Sequence, residues 1–394
     1  MRFAFTRAQT EFRDEVRGFL ESEIRAGSFS PRCGDLIQPG SRTFSRKLAE
    51  RGWIGMTWPK AYGGQGRTYV EKAILMEELY RVQAPIGYHF LADRQVGPAL
   101  IHFGSEWQKE HFLPRIVRAD EGVAFCLLFS EPNAGSDLAA VTTTAARDGD
   151  GYVLNGQKVW SSGAHEADYG WLLARTDLDP SANRYESCSE FIVDMKTPGI
   201  TVRPIVNMAG ESRFNEVFFD DVKIPQEYRV GEENAGFKQI MAQMDYERAG
   251  LERLMQNHPL FEQLKEHLRE EGPSAGDQAS YSWARDQVAQ LEVEYNVGRL
   301  LCYYTAWVID QGETPTTQAA LCKAFCTQYE QRVNDVASQI LGPLCQIRRG
   351  VQWSPFQGDL AESLLWGPSY TLQGGSVEVL KNIVALRGLG LPRK

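Results

Sequence analysis

The sequence has no apolar run of about 20 residues, the length a membrane-spanning helix requires, so no transmembrane helix is expected. It also has no excess of positive charge. Lys and Arg number 42 against 51 Asp and Glu, a net charge of −9. A dedicated nucleic-acid binder works by displacing counterions with net positive surface, so that class is excluded, although a local basic pocket for a phosphorylated ligand is not. Cysteine is sparse, odd in number and scattered, at Cys33, Cys126, Cys188, Cys302, Cys322, Cys326 and Cys345. Such a set is a poor disulfide framework and suits a reducing compartment. Zinc spacing is missing too: Cys322 and Cys326 lie four apart with no second pair nearby, and read as small core residues on a helix. The six histidines form no close pair, so no metal site is expected. The opening stretch, MRFAFTRAQTEFRDEV, is charged and amphipathic with no apolar h-region. The cytoplasm is the expected location. No internal repeat or low-complexity tract is found.

What is present is an ordinary globular composition, 43% apolar and 24% charged, over 394 residues. That length exceeds the roughly 250–300 residues at which single cores stop growing, so two or three domains are expected. From residue 1 to 122 the periodicity is helical, with Phe12, Val16, Phe19 and Leu20 in one set and Ile74, Leu75, Glu78 and Leu79 in another. Between them the Gly/Pro-rich run from Trp58 to Gly66 reads as a turn or loop. From 123 to 232 short β-rich runs appear at 123–129, 151–154, 170–174, 190–193, 201–204 and 216–219. Asn155-Gly156 reads as a turn among them, and the pattern predicts a small sandwich or barrel. From 233 to 394 the helical period returns, with candidates at 237–254, 281–311 and 315–341. Val288, Leu291, Val293, Tyr295 and Leu300 are expected on the buried side of the second. The order predicts an α+β protein: an N-terminal helical domain (1–122), a β domain (123–232) and a C-terminal helical bundle (233–394).

Two stretches carry chemistry. Phe129-Ser130-Glu131-Pro132-Asn133-Ala134-Gly135-Ser136-Asp137 follows an apolar strand. A glycine and small hydroxyl residues in such a loop let backbone N–H groups approach a phosphate or the edge of a planar ring. Asn155 to Gly163 includes Trp160-Ser161-Ser162 at a strand end, where an indole can cover one face of a planar cofactor. Taken singly, each reads equally well as a plain turn or a core Trp.

In order along the chain, these stretches resemble those of the acyl-CoA dehydrogenase family of flavoenzymes. Trp58–Gly66, Ser130–Asp137, Asn155–Ser162, Glu216–Pro225 and Gly388–Pro392 match five of its segments. The resemblance implies that family's fold, with a central β-barrel or sandwich domain and a C-terminal four-helix bundle. It also implies FAD-dependent α,β-dehydrogenation of an acyl-CoA thioester. A carboxylate takes the α-proton, donors hold the thioester oxygen as it becomes enolate-like, and flavin N5 receives hydride from the β-carbon. By the same resemblance Leu127, Phe129, Ser130, Gly135, Ser136, Trp160 and Ser162 contact FAD. Leu127 replaces a usual aromatic there, and Ser376 and Glu378 reach the adenosine side. Ser136 also serves the CoA substrate.

Many family members carry the base as the Glu of a C-terminal Tyr-Glu-Gly-Thr motif. Counting back from Asn382-Ile383-Val384-Ala385 puts Gly374 at that position here, and a shift of one puts Gln373 there. Neither side chain can take a proton. A minority branch, resembling isovaleryl-CoA and long-chain dehydrogenases, carries its base in a Leu-Asp-Leu-Glu-Arg stretch on the first helix of the C-terminal domain. This chain reads Met244-Asp245-Tyr246-Glu247-Arg248 there. Glu247 is therefore the expected general base, with Asp245, Arg248 and the Gly374 backbone on the substrate side. The bland alternative is a solvated helix glutamate.

The chain departs from the family in what it would give a partner's flavin. Residues 265–285 lack the Arg-x-x-x-Phe-Gly-type segment, and Gln339-Ile340-Leu341-Gly342-Pro343 has proline for the second glycine of a Gln-x-x-Gly-Gly turn. Proline removes an N–H and locks φ. The expectation is a heteromer, α2β2, in which a sister acyl-CoA dehydrogenase-like subunit supplies what is missing. Such assemblies resemble those of actinobacterial steroid side-chain degradation, which makes a bulky steroid-CoA the expected substrate and an electron-transferring flavoprotein the expected acceptor. Two other readings compete: a flavin-poor structural or regulatory subunit, and a flavin monooxygenase or nitroalkane oxidase on the same fold. Glu247 argues against both.

Overall fold

A computed structural model describes residues 4–31, 40–247, 250–272 and 278–393, the side chains of 245–247 excepted. Helices open the chain: α1 (Arg7–Arg25), α2 (Arg42–Glu50), α3 (Tyr69–Arg81), α4 (Gly87–Leu91), α5 (Gly97–Phe103) and α6 (Glu106–Val117). Eight strands follow: β1 (Phe125–Leu128), β2 (Thr144–Asp148), β3 (Gly151–Lys158), β4 (Tyr169–Arg175), β5 (Cys188–Asp194), β6 (Ile200–Ile205), β7 (Phe214–Pro225) and β8 (Arg229–Val230). The chain then returns to helix: α7 (Gly236–Glu247), α8 (His258–Glu271), α9 (Gln278–Asp310), α10 (Thr316–Leu341), α11 (Asp359–Tyr370) and α12 (Val377–Ile383). The fold is α+β, as the sequence pattern predicts.

Two compact units emerge. One gathers residues 1–38, 68–84 and 248–394, and so holds α1, α3 and α8–α12. The other gathers 39–67 and 85–247, with α2, α4–α7 and the sheet.

In the first unit, α1 and α3 begin with capping boxes built by Thr6 with Gln9 and Thr68 with Glu71, which satisfy backbone donors at each helix start. The expected apolar sets are buried, and Glu78, buried among them, is held by Arg17 at 2.8 Å. Helix α8 lacks a side-chain cap of its own; Glu330 of α10 instead accepts the N–H groups of Gln256 and Asn257 at 2.7 and 2.8 Å. Long helix α9 corrects part of the core reading. Leu291 is buried, Val288 and Tyr295 are half-buried, but Val293 and Leu300 are 57% and 43% exposed. The buried face instead continues through Gly298, Cys302, Thr305 and Ala306. Val293, Val297, Leu300 and Tyr304 form a second apolar stripe, spaced four, three and four residues apart, that stays exposed.

In the second unit the strand order is β6-β7-β3-β2-β4-β5-β8, with β1 pairing parallel to β4. Inward side chains including Leu128, Tyr152, Leu154, Leu172, Phe191, Val217 and Phe219 share one apolar core. Asn155-Gly156 is not a turn. It is a bulge inside β3 where the pairing with β7 shifts register. Asn155 exchanges hydrogen bonds with Asp221, whose φ is +47°, at 2.9 and 3.0 Å. The bulge shifts the alternation of β7, so its buried residues run 215, 217, 219 and then 222, 224. Glycine is required because a Cβ at 156 would lie 2.5 Å from Thr143 Oγ1. The Trp58–Gly66 run is indeed a loop around a short turn at Lys60–Tyr62. It buries Trp58, whose ring packs against Gly97 so closely that a Cβ there would lie 1.9 Å from it.

Candidate active site

In the sheet unit, β1 and β3 end side by side. Val159 N donates to Ser130 O at 2.8 Å, and Lys158 Nζ donates to Phe129 O at 3.0 Å. Those bonds bring together Leu127, Phe129 and Ser130 at the end of β1 and Trp160 and Ser162 just past β3. Trp160 is the most distinctive of them. It holds a left-handed backbone, φ +61°, and keeps its indole 59% exposed. That conformation costs a non-glycine residue roughly 1–2 kcal/mol and persists only where its surroundings enforce it. Enforcement comes from Asn215: Ser161 N donates to Asn215 O at 3.0 Å, and Asn215 Nδ2 donates to Ser161 O at 2.9 Å.

The loop after β1 is fastened from beneath by an ion pair. Glu131 and Lys158, both buried, meet at 2.7 Å. Glu131 also accepts from Thr142 N and Thr143 N at 2.7 and 2.9 Å. Burial works against its charge, but Lys158 and these donors hold its carboxyl down to about 2. Burial lowers Lys158 to about 8, against the pull of Glu131. With residue 131 anchored, Gly135 and Ser136 stand exposed, and nothing lies within 4 Å of where a Gly135 side chain would begin. The residues present fit a planar, phosphate-bearing cofactor such as FAD: an exposed indole, an open glycine turn, and Ser161 Oγ, which is buried with no hydrogen-bond partner among the described residues.

Helix α7 also belongs to this unit, and Glu247 is its last residue. The side chains of Glu247 and Asp245 and the whole of Arg248 lie outside the described residues. The helix itself is tied to β5. Glu190, fully buried, accepts from Gln243 Nε2 at 3.0 and 2.8 Å and from Trp171 Nε1 at 2.6 Å. Burial pushes Glu190 up to about 8. Gln243 lies one helical turn before Glu247, so this bond holds the helix at that turn.

The other unit carries Gly374, Ser376 and Glu378 on the turn into α12. Gly374 has φ +69° and Gly375 φ +99°. Lys323, fully buried on α10, donates to Gly375 O at 2.7 Å and anchors the turn. Ser376 caps α12, accepting from Val379 N, and Glu378 is exposed in its first turn.

Sequence reasoning gave no role to Glu131, Lys158, Asn215 or Lys323. Glu131 and Lys158 sit inside the two quoted motifs, but a buried ion pair leaves no periodic signature, and Asn215 and Lys323 had no signal at all.

The family comparisons agree over the chain's length. Family models described as the acyl-CoA dehydrogenase N-terminal, middle and C-terminal domains match residues 6–120, 126–222 and 234–389. Acyl-CoA dehydrogenase FadE29 of Mycobacterium tuberculosis is 32% identical, covering 98% of each chain. Among solved structures, the Tcur3481-Tcur3483 steroid acyl-CoA dehydrogenase is 32% identical with a TM-score of 0.88, covering all of both chains. The ChsE4-ChsE5 complex from Mycobacterium tuberculosis is also 32% identical over all of both chains, with a TM-score of 0.84. Among the described residues no helix is long and apolar enough to cross a membrane. The chain belongs to the acyl-CoA dehydrogenase family and is an oxidoreductase acting on acyl-CoA thioesters.

Proposed function

We propose that this chain is the base-carrying subunit of a heteromeric, FAD-dependent acyl-CoA dehydrogenase that acts on a bulky acyl group of steroid side-chain type. The observation that carries the reading is the exchange of base positions. Gly374 stands where many relatives keep a glutamate, while Glu247 fills the alternative place at the end of α7.

In this reading Glu247 takes the α-proton of the thioester. Asp245 and Arg248 flank it, and the backbone N–H of Gly374 helps hold the thioester oxygen as negative charge develops there. Leu127, Phe129, Ser130, Gly135, Ser136, Trp160 and Ser162 hold FAD, with Ser376 and Glu378 toward its adenosine side, and Ser136 also serves CoA. Bound FAD supplies the two-electron oxidant for the α,β-bond. The parts 1–122, 123–232 and 233–394 act as the three domains, the setting is the cytoplasm, and an electron-transferring flavoprotein is the acceptor.

The heteromeric part rests on Pro343 and on the missing Arg/Phe-Gly segment. The exposed apolar stripe of α9 supports it, as do the steroid enzyme and two-protein complex named among the similar structures. The losses at those two segments also favour a second reading, a flavin-poor structural subunit.

Replacing Glu247 by Gln in the assembled complex separates the two. The enzyme reading expects turnover to fall by about 10²–10⁴-fold, the usual worth of a positioned base, with flavin content and ligand binding retained. Unchanged turnover would leave the structural reading standing. Oxygen consumption without an added acceptor would instead favour a monooxygenase or nitroalkane oxidase.

A further inference from the structure

Three of the six thiols among the described residues converge in the helical unit, where the proposed reaction has no use for them. Cys322 and Cys326 lie one turn apart on α10, and Cys302 reaches them from α9. All three are buried, Cys322 and Cys326 completely. Their sulfurs are separated by 3.4 Å (302–322), 3.9 Å (322–326) and 4.0 Å (302–326). Three points so spaced lie on a circle of radius about 2.2 Å, close to the metal–thiolate bond length of about 2.3 Å. Among the described residues no other trio of Cys, His, Asp or Glu ligand atoms converges in this way.

The surroundings are those of a fitted site. Gly298, one turn before Cys302, lets Cys326 come so near that a Cβ there would lie 3.3 Å from its sulfur. Gly250 O accepts from Cys302 at 3.7 Å.

We propose that Cys302, Cys322 and Cys326 form a three-coordinate site for a soft monovalent cation, cuprous copper. Sulfur-only ligation selects soft metals. Zinc, which takes four ligands in structural sites, would need one more than the trio offers. Each sulfur that bonds as a thiolate gives its proton to the solvent, and copper enters and remains as Cu(I), so no electron is transferred. Occupancy would cross-link α9 to α10. The proposal does not depend on the catalytic reading.

The test uses the reduced full-length chain, handled anaerobically and equilibrated with Cu(I) supplied as its bicinchoninate complex. One Cu(I) per chain should be withdrawn from the chelator. Cys302→Ser and Cys322→Ser should each weaken uptake by about 100-fold or more, whereas Cys345→Ser, which changes a half-buried thiol outside the trio, should leave it unchanged. Failure to withdraw copper, or uptake by Cys302→Ser or Cys322→Ser equal to that of the unaltered protein, overturns the site. Should those variants not fold, X-ray absorption at the copper edge of the unaltered protein decides. Three sulfurs at about 2.2–2.3 Å support the proposal, and a shell of two sulfurs or of nitrogen and oxygen overturns it.

Discussion

Glu190 shows what a single residue can reveal. Its hydrogen-bond donors, Trp171 and Gln243, are both uncharged, and burial raises its carboxyl from about 4.5 to about 8. A group whose folded pKa lies above its unfolded value contributes stability fully below the unfolded value and loses it as pH rises through the folded one. The protein should therefore lose stability between about pH 4.5 and 8 from this residue. Glu190→Gln mimics the protonated acid, and Gln243 Oε1, buried with no hydrogen-bond partner among the described residues, can accept from the new amide after the Gln243 amide turns over. Urea unfolding at pH 5 and pH 8 checks this. The two proteins should match at pH 5, and the variant should be the more stable at pH 8. The same residue ties β5 to α7 one turn before Glu247, so its influence should extend to turnover. No sequence pattern announced it, because a lone Glu in an apolar strand reads the same whether it faces in or out.

Among the elements, the loop after β1 depends most on a partner distant in sequence. Residues 130–143 are held to β3 by Lys158, which is wholly inside the protein, and are closed on themselves by the two threonine N–H groups that Glu131 accepts. Lys158→Met would leave the Glu131 charge buried without its cation, a loss worth about 3–5 kcal/mol. The urea midpoint should fall accordingly. In the proposed reading the assembled complex should also retain less flavin, because Gly135 and Ser136, which that reading places on FAD, are carried by that loop. A variant that loses neither would show that the loop is held by other means. Helices and strands were mostly legible here: the apolar period announced α1, α3, α9 and α10. Asn155-Gly156 misled because the same dipeptide serves a hairpin turn and a bulge, and only the partner strand β7 distinguishes them. Val293 and Leu300 misled because α9 carries two apolar faces, and periodicity does not say which one the rest of the chain covers.

At the scale of the whole molecule, the question is how many chains one flavin needs. In the proposed reading, Pro343 and the missing Arg/Phe-Gly segment remove what this chain would give a partner's flavin, while its own stretches from Leu127 to Ser162 remain to hold one. Expressed alone, the chain should hold little FAD. Co-expression with a sister acyl-CoA dehydrogenase-like chain that carries the missing segments should restore about one FAD per pair. Flavin absorbance against protein mass, with native mass spectrometry of the assembly, measures both. A homo-oligomer with full flavin would refute the heteromer.

The sequence by itself determined the family and the α+β order. Each of these is written in local motifs and in the period of apolar residues along the chain. Tertiary structure alone decided that Glu131 meets Lys158, that Asn215 holds Trp160 in a left-handed turn, and that Cys302 joins Cys322 and Cys326. Those partners are 20 to 55 residues apart, and only packing, which answers to shape and solvent exclusion across elements, brings them within bonding distance.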